Sequence, residues 1–270
     1  MEIQENVDLT PYLTMRVKGK ARYFCVAKSE KDFTDAFKFS QEKGLPFYIL
    51  GGGSNVVLGN EVYPGLIIKN EHVKIREIRE IGDIREIRVT SGYPTGKLVN
   101  EAIKNGWGGI EYFAGLPGTV GGAVVCNSHW GKPETHIKDL VKKANYYKNI
   151  LLEVTLELTK ENPDLLLKRA REVIEYRKKT QPAGFSSGCI FINPSSDMSA
   201  GQLIDQAGLK GERVGAFSVS EKHANFILCD GHGKPEDLLK LINIIKKKIK
   251  ERFNVNLQEE VQILNCRNTS

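Results

Sequence analysis

Two glycine-rich stretches and two polar clusters hold the residue types in this 270-residue chain that could do chemistry. The first stretch reads Gly51-Gly52-Gly53-Ser54-Asn55, directly after the apolar run Phe47 to Leu50. Consecutive glycines let backbone N–H groups converge on an anion, and Ser54 and Asn55 add side-chain donors. It is not a G-x-G-x-x-G fingerprint, since Val56 stands where the third glycine belongs, and no Gly-Lys-Ser/Thr marks a Walker A loop. A tight structural turn would use the same glycines; the polar pair tips the reading modestly toward phosphate. The second stretch, Ala114 to Ala123, contains Pro117, Gly118, Thr119, Gly121, Gly122 and Ala123. Its small residues permit close backbone approach to a flat ligand or a pyrophosphate, with a packed loop between strands as the alternative. Two such loops in one chain favour a dinucleotide held between two lobes.

The polar clusters are Ser186-Ser187-Gly188-Cys189-Ile190-Phe191-Ile192-Asn193-Pro194 and Ser220-Glu221-Lys222-His223-Ala224-Asn225. A cysteine after Ser-Ser-Gly at the head of a strand stands where a reactive side chain can be presented. The ordinary state of a lone cysteine is an inert buried hydrophobe, which is the expectation for Cys25, Cys229 and Cys266. Cys126, at the end of the second glycine-rich region, is expected in the core, with a ligand contact as the alternative. Spacing alone does not separate Cys189 from the other four. The donors of the second cluster suit phosphate or sugar oxygens, and a solvated edge explains them nearly as well.

These groups need a scaffold, and the periodicities supply one. A strand over Tyr23 to Ala27, a Ser29-capped helix with Phe33, Ala36 and Phe37 on one face, and a buried strand over Phe47 to Leu50 begin a βαββ unit. Leu66 to Ile68, after Pro64-Gly65, completes it. Alternation from Val73 to Ser91 predicts an antiparallel hairpin turning at Gly82-Asp83. Its interleaved arginines and glutamates fit a solvated strand face better than a nucleic-acid stripe. Thr95 is expected to cap a helix carrying Leu98, Val99, Ala102 and Ile103, which Gly106 ends. Strands are predicted around Tyr146 and over Leu151 to Leu158, and Asn162-Pro163 opens a helix to about Thr180. Cys189 to Ile192 reads as a strand, Ser199 with Gln202 as a capping box, and His223 to Cys229 as a strand. A helix over Pro235 to Phe253 and a strand over Val261 to Leu264 end the series.

Hydrophobic content of 40% with 27% charged residues excludes low-complexity disorder. The length fits one large domain or two to three small ones. A net charge of +6 is compatible with an anionic small substrate and too weak to demand nucleic acid. Much of it lies on the last predicted helix, where Lys234 to Arg252 hold seven basic and three acidic residues. Five scattered cysteines without C-x-x-C spacing signal neither a zinc site nor a disulfide framework. The opening MEIQENVDL lacks a signal-peptide core, and no apolar run approaches the ~18 residues of a membrane span. A soluble, cytoplasmic protein with no metal, no nucleic-acid partner and no membrane insertion is the expectation.

The motifs GGGSN, GLPGTVGGAV, R-x-x-TQP, SSGCIF-NP, SAGQLIDQAGLKG, SEKHANFI and Leu257-Gln258-Glu259-Glu260-Val261 run in order through nearly the whole chain. Together they resemble the UDP-N-acetylenolpyruvoylglucosamine reductase (UDP-N-acetylmuramate dehydrogenase) family, in its shorter type without an extra substrate-covering loop. The resemblance implies an α+β fold: a two-lobed FAD-binding fold of the vanillyl-alcohol-oxidase type plus a C-terminal α/β substrate lobe. FAD-binding lobes are expected at 1–70 and 71–160, a UDP-sugar lobe at 161–256 and a C-terminal strand carrying Glu260 at 257–270. The implied reaction reduces the enolpyruvyl group of UDP-N-acetylglucosamine enolpyruvate with NADPH, through FAD, to UDP-N-acetylmuramate, a peptidoglycan precursor. A monomer is expected to carry it out.

The resemblance also assigns residues. Gly51 to Asn55 and Pro117 to Ala123 fall on flavin-binding positions. The family's proton donor falls on Cys189 and its glutamate on Glu260. Its arginine belongs to a Tyr-Arg-x-Ser motif, and the matching stretch is Tyr147-Lys148-Asn149-Ile150. Lys148 would then set a point ammonium in place of a planar guanidinium. Arg177, Gln181, Asn193, Lys222, His223 and Asn225 are implied to bind the substrate. No histidine lies in the first glycine loop or before His129 in the second, so the flavin is expected to be noncovalent, with His72 the one nearby candidate for a link. The alternatives are a flavin oxidase of the same fold and, motivated by Lys148, a nucleotide-sugar-binding module without catalysis.

Overall fold

The computed structural model describes residues 1–131 and 133–265, so Cys266 lies outside the described residues. Apolar runs set the first sheet. Its elements are β1 (Gln4–Asp8), β2 (Lys20–Ala27), α1 (Glu30–Glu42), β3 (Phe47–Leu50), β4 (Val56–Leu58) and β5 (Val62–Asn70). The strands order β1-β2-β5-β3, with β2, β5 and β3 parallel. Leu66, Ile67 and Ile68 of central β5 are fully buried, as a parallel strand covered on both faces requires. At the sheet's edge β3 is less covered than expected, and only Leu50 of it is buried. Ser29 accepts the Asp32 N–H and starts α1, whose Phe33 and Ala36 are buried.

Pro64-Gly65 does not precede β5 but is an irregularity within it, since Ala21 pairs with Tyr63 and Tyr23 with Leu66. Proline has no N–H for the ladder, and a Cβ on Gly65 would meet the Pro46 carbonyl at 2.1 Å. The deviation lets two backbones pass closely.

The second lobe starts with β6 (Ile75–Ile81) and β7 (Ile84–Thr90). Ile81 faces Ile84 across Gly82-Asp83, and Gly82 takes φ +60, the hairpin that the alternation predicts. There follow α2 (Thr95–Lys104), β8 (Trp107–Gly108), α3 (Val120–Val125), β9 (His129–Gly131), β10 (Glu134–His136), β11 (Val141–Tyr147), β12 (Ile150–Lys160) and α4 (Pro163–Thr180). An antiparallel sheet runs β11-β12-β7-β6, with β8 on β12. Thr95 is not the cap of α2. Pro94 occupies that place, and Thr95 sits buried in the first turn with its hydroxyl unpartnered. Leu166, Ala170 and Val173 of α4 join this lobe's core, so the helix packs on the sheet that precedes it.

The third lobe comprises α5 (Ala200–Gln206), β13 (Arg213–Val214), β14 (Phe217–Val219), β15 (Ile227–Cys229), α6 (Pro235–Phe253) and β16 (Gln262–Leu264). Two of its expected strands shrink. Cys189 to Ile192 makes only isolated bridges, Cys189 to Phe226 and Phe191 to Glu259. β15 begins at Ile227 because Ser220 Oγ accepts the N–H groups of Lys222 and His223 and curls the chain. β16 pairs parallel with β4, returning the chain to the first lobe, and Glu260 stands just before it. One core joins these lobes, from Leu9 and Val57 to Ile190, Leu241 and Val261. Among the described residues, no helix is long and apolar enough to cross a membrane.

Candidate active site

The two glycine-rich loops face each other at backbone contact. A Cβ on Gly52 would lie 2.4 Å from Gly118 Cα, and one on Gly51 would lie 2.7 Å from Thr119 Oγ1. Ser54 Oγ donates to the Pro117 carbonyl at 3.2 Å. Thr119 accepts the Gly122 N–H at 3.2 Å and caps α3, while Gly121 donates to the Ser91 carbonyl at 2.8 Å. Ala123 is buried behind them. None of the N–H groups of Gly51 to Asn55 donates to a backbone or side-chain acceptor among the described residues. Unspent donors on a side-chain-free loop fit the diphosphate of a dinucleotide such as FAD.

Cys189 is half-buried on a segment stitched from both sides. Ile190 donates its N–H to the Asn225 carbonyl at 2.9 Å and accepts the Glu260 N–H at 2.8 Å. The Asn225 amide clamps Phe191 twice, with Oδ1 accepting its N–H at 3.0 Å and Nδ2 donating to its carbonyl at 2.8 Å. Asn225 is buried, and these bonds make it a brace for the cysteine segment. Asn55 Nδ2 donates to the Glu260 carbonyl at 3.3 Å, tying the first glycine loop to the same segment. Burial first, and the charge of Glu260 second, push the Cys189 thiol up to about 12, against the pull of Asn225 and Arg177. Glu260 keeps an exposed face, yet burial of its carboxyl away from water moves its pKa upward.

Arg177, in the last turn of α4, supplies the cation beside Cys189. Its guanidinium lies 5.3 Å over the Trp130 ring, and its buried Nε has no partner. No carboxylate pairs with it among the described residues. A desolvated, unpaired guanidinium is a binding site for an anion. Gln181 closes α4, its N–H on the Arg177 carbonyl at 2.8 Å, and the Lys222 ammonium caps the Lys178 carbonyl. His223 Nδ1 accepts the Asn225 N–H at 3.3 Å, and burial lowers its pKa, so at neutral pH its proton is assigned to Nε2. Asn193 is exposed, and its Oδ1 accepts the Ala200 N–H at the start of α5.

Lys148 links two strands of the second lobe's sheet. It stands exposed on the two-residue turn between β11 and β12 at φ +55. The adjoining Tyr147 ring packs 5.7 Å from Phe37 of α1, and Ile150 joins the core under that helix. The turn takes a left-handed residue at Lys148, and the cation that acts on Cys189 is Arg177. Cys126 also departs from expectation. It is exposed at the end of α3, 3.4 Å from Asn55 Nδ2, whereas Cys25 and Cys229 are buried.

Residues 21–147 match the FAD binding domain family, and residues 181–264 match the UDP-N-acetylenolpyruvoylglucosamine reductase, C-terminal domain. A protein named UDP-N-acetylenolpyruvoylglucosamine reductase from Chlamydia trachomatis serovar D is 34% identical over 287 residues, covering 97% of this chain and 96% of that protein. The chain belongs to the UDP-N-acetylenolpyruvoylglucosamine reductase family. A second member so named, from Synechococcus sp. (strain JA-3-3Ab), is 31% identical over 97% of this chain and 91% of its own length. The crystal structure of UDP-N-acetylenolpyruvylglucosamine reductase from Thermus caldophilus superposes with a TM-score of 0.82 at 28% identity, covering 98% of this chain and all of that one. The fold is α+β, an FAD-binding domain followed by the C-terminal domain of the reductase family.

Two residues near the reductase site carry no sequence signal. Trp130, under Arg177, sits in an unremarked short strand. Lys69 sends its ammonium from β5 to the Gly51 carbonyl, and burial pulls its pKa down. The Arg177 placement predicts that Arg177→Met lowers kcat/KM by about 10²- to 10³-fold, the scale of losing one charge-stabilising donor. Lys148→Ala leaves kcat/KM unchanged; steady-state rates of both variants decide between them.

Proposed function

We propose that this protein reduces the enolpyruvyl group of UDP-N-acetylglucosamine enolpyruvate to UDP-N-acetylmuramate, with NADPH as hydride donor, as an FAD-dependent step of peptidoglycan precursor synthesis. The observation that supports it most is the meeting of Cys189, Glu260 and Arg177 at a segment tied to the facing glycine loops. FAD, when bound, supplies the hydride that it has taken from NADPH. The unspent N–H groups of Gly51 to Asn55, with Gly118 and Thr119 opposite, would hold its diphosphate, noncovalently.

Hydride addition to one alkene carbon leaves negative charge on the other carbon and its carboxylate. Arg177 balances that charge, and its buried Nε has no internal partner. The Cys189 Sγ–H gives its proton to the charged carbon, forming the C–H bond, and the resulting thiolate is reprotonated from water. With its pKa pushed up to about 12, the thiol is fully protonated at neutral pH and ready as an acid. Glu260, whose pKa is also raised, sits where it can relay a proton toward the thiol. Lys222, Gln181 and the Nε2 face of His223 are read as UDP-sugar contacts. Asn225 serves as a brace. We read the enzyme as a cytoplasmic monomer of the shorter type.

Glu260 yields a test with opposite signs. A carboxyl raised above its unfolded value adds stability fully below the ordinary carboxylate range, and loses it as pH rises through the raised value. At pH 8 the folded protein therefore carries the cost of a desolvated carboxylate. Glu260→Gln is expected to melt modestly higher than wild type at pH 8 and no higher at pH 4, while turnover falls by about 10²-fold or more. Thermal melts at the two pH values check the first part. The reading as a whole predicts yellow purified protein that releases free FAD on heat denaturation; protein that is colourless and takes up no added FAD contradicts it.

A further inference from the structure

The segment Tyr12 to Arg16 has no part in the chemistry above, yet it lies between the first glycine loop and the loop carrying Cys189. The Tyr12 carbonyl stands 1.9 Å from where a Cβ on Gly53 would be, so the segment rests directly on that loop. Thr14 donates its N–H to the Gly53 carbonyl at 3.0 Å. Its hydroxyl oxygen lies 2.7 Å from the Ser186 carbonyl and 3.2 Å from the Gly53 carbonyl. A hydroxyl has one proton, and the shorter contact takes it. Thr14 therefore grips the glycine loop with its backbone and the cysteine loop with its side chain.

The neighbours keep this strap rigid. Leu13 and Met15 are buried in the shared core. Arg16 adopts φ +59, a strained conformation for a residue with a Cβ, and sets its guanidinium 5.5 Å over the Phe185 ring. Phe185 precedes Ser186, so strap and cysteine loop touch at two successive residues.

We propose that Thr14 is a positioning residue, whose hydroxyl fixes the distance between the glycine loop and the loop that presents Cys189. This rests on the reading of Cys189 as proton donor. A donor displaced by about 1 Å loses on the order of 10² in rate, and only the step that uses Cys189 feels the displacement. NADPH oxidation, which does not involve the thiol, should be indifferent to it.

Thr14→Val keeps the shape and the N–H and removes only the hydroxyl; Thr14→Ser restores it. In the FAD-loaded holoenzyme under anaerobic conditions, two rates are measured: loss of yellow colour with NADPH, and its return with the enolpyruvyl sugar. Thr14→Val is expected to retain FAD and the first rate, while the second falls about 10- to 100-fold and Thr14→Ser matches wild type. A return rate equal to wild type in Thr14→Val overturns the proposal, as does an equal loss in both steps or a defect that serine does not rescue. Failure of the wild-type protein itself to regain colour would count against the reductase reading instead. The strap is then judged by alkylation of Cys189 with iodoacetamide, read by peptide mass: a rate changed in Thr14→Val and restored in Thr14→Ser supports it, and no change overturns it.

Discussion

Cys189→Ala is expected to leave flavin reduction by NADPH at its wild-type rate while turnover to UDP-N-acetylmuramate falls by about 10²- to 10⁴-fold, the usual worth of a positioned general acid. The split follows from what the thiol touches. Its surroundings are Asn225, Arg177 and Glu260, and the first glycine loop is tied to this segment through Asn55 and Thr14. Cys189→Ser is expected to keep most of the activity. An ordinary thiol is a far stronger acid than an alcohol, and on that basis serine would be a poor replacement. Here burial and Glu260 push the thiol up to about 12, so both side chains enter the reaction fully protonated and either can hand a proton to the charged carbon. Rapid-mixing measurements of the two half-reactions decide it; an equal loss in both would remove Cys189 from the proton-donor role.

The second large effect concerns the cofactor. Gly52→Ala places a methyl group 2.4 Å from Gly118 Cα, against backbone that cannot rotate aside. The two loops must part, and overpacking of this kind costs about 1–3 kcal/mol, which weakens FAD binding by about 10- to 100-fold. Gly52 itself is exposed, and none of the three cores depends on it, so the circular dichroism of the variant should match wild type. Gly96→Ala is the control. It lies in α2 with open space around its Cβ position, so it should retain FAD and gain about 0.5–1 kcal/mol of stability. FAD titration with thermal melts separates the two; full FAD affinity in Gly52→Ala would show that the loops do not form the cradle together.

Elements specified by neighbours in sequence could be read from the chain alone. Ser29, the Gly82-Asp83 hairpin, Asn162-Pro163 and the whole span of α6 rest on capping, turn chemistry and hydrophobic period, which act within a few residues. The departures are places where distant chain decides. Pro64-Gly65 has a turn's composition, but the approach of Pro46 makes it an irregularity inside β5. Cys189 to Ile192 and His223 to Asn225 have strand-like apolar content. Side-chain bonds from Asn225 and Ser220 take the backbone groups that a ladder would use. Lys148 matches a motif position, while its backbone is governed by a two-residue turn between β11 and β12. Arg177 was legible as a substrate contact, but its pairing with Trp130 and Cys189 comes from three separated segments. Thr14 had no signal at all, since one hydroxyl in an apolar run shows its use only when Gly53 and Ser186 arrive beside it.

The most direct measurement is the visible spectrum of the FAD-loaded protein in an anaerobic cell, followed through two additions. NADPH should remove the yellow absorption. UDP-N-acetylglucosamine enolpyruvate should then restore it with no oxygen present, and yield a sugar nucleotide heavier by two hydrogens. Colour that NADPH does not remove, or that returns only when air is admitted, would contradict the assignment of this chain as the enolpyruvyl reductase.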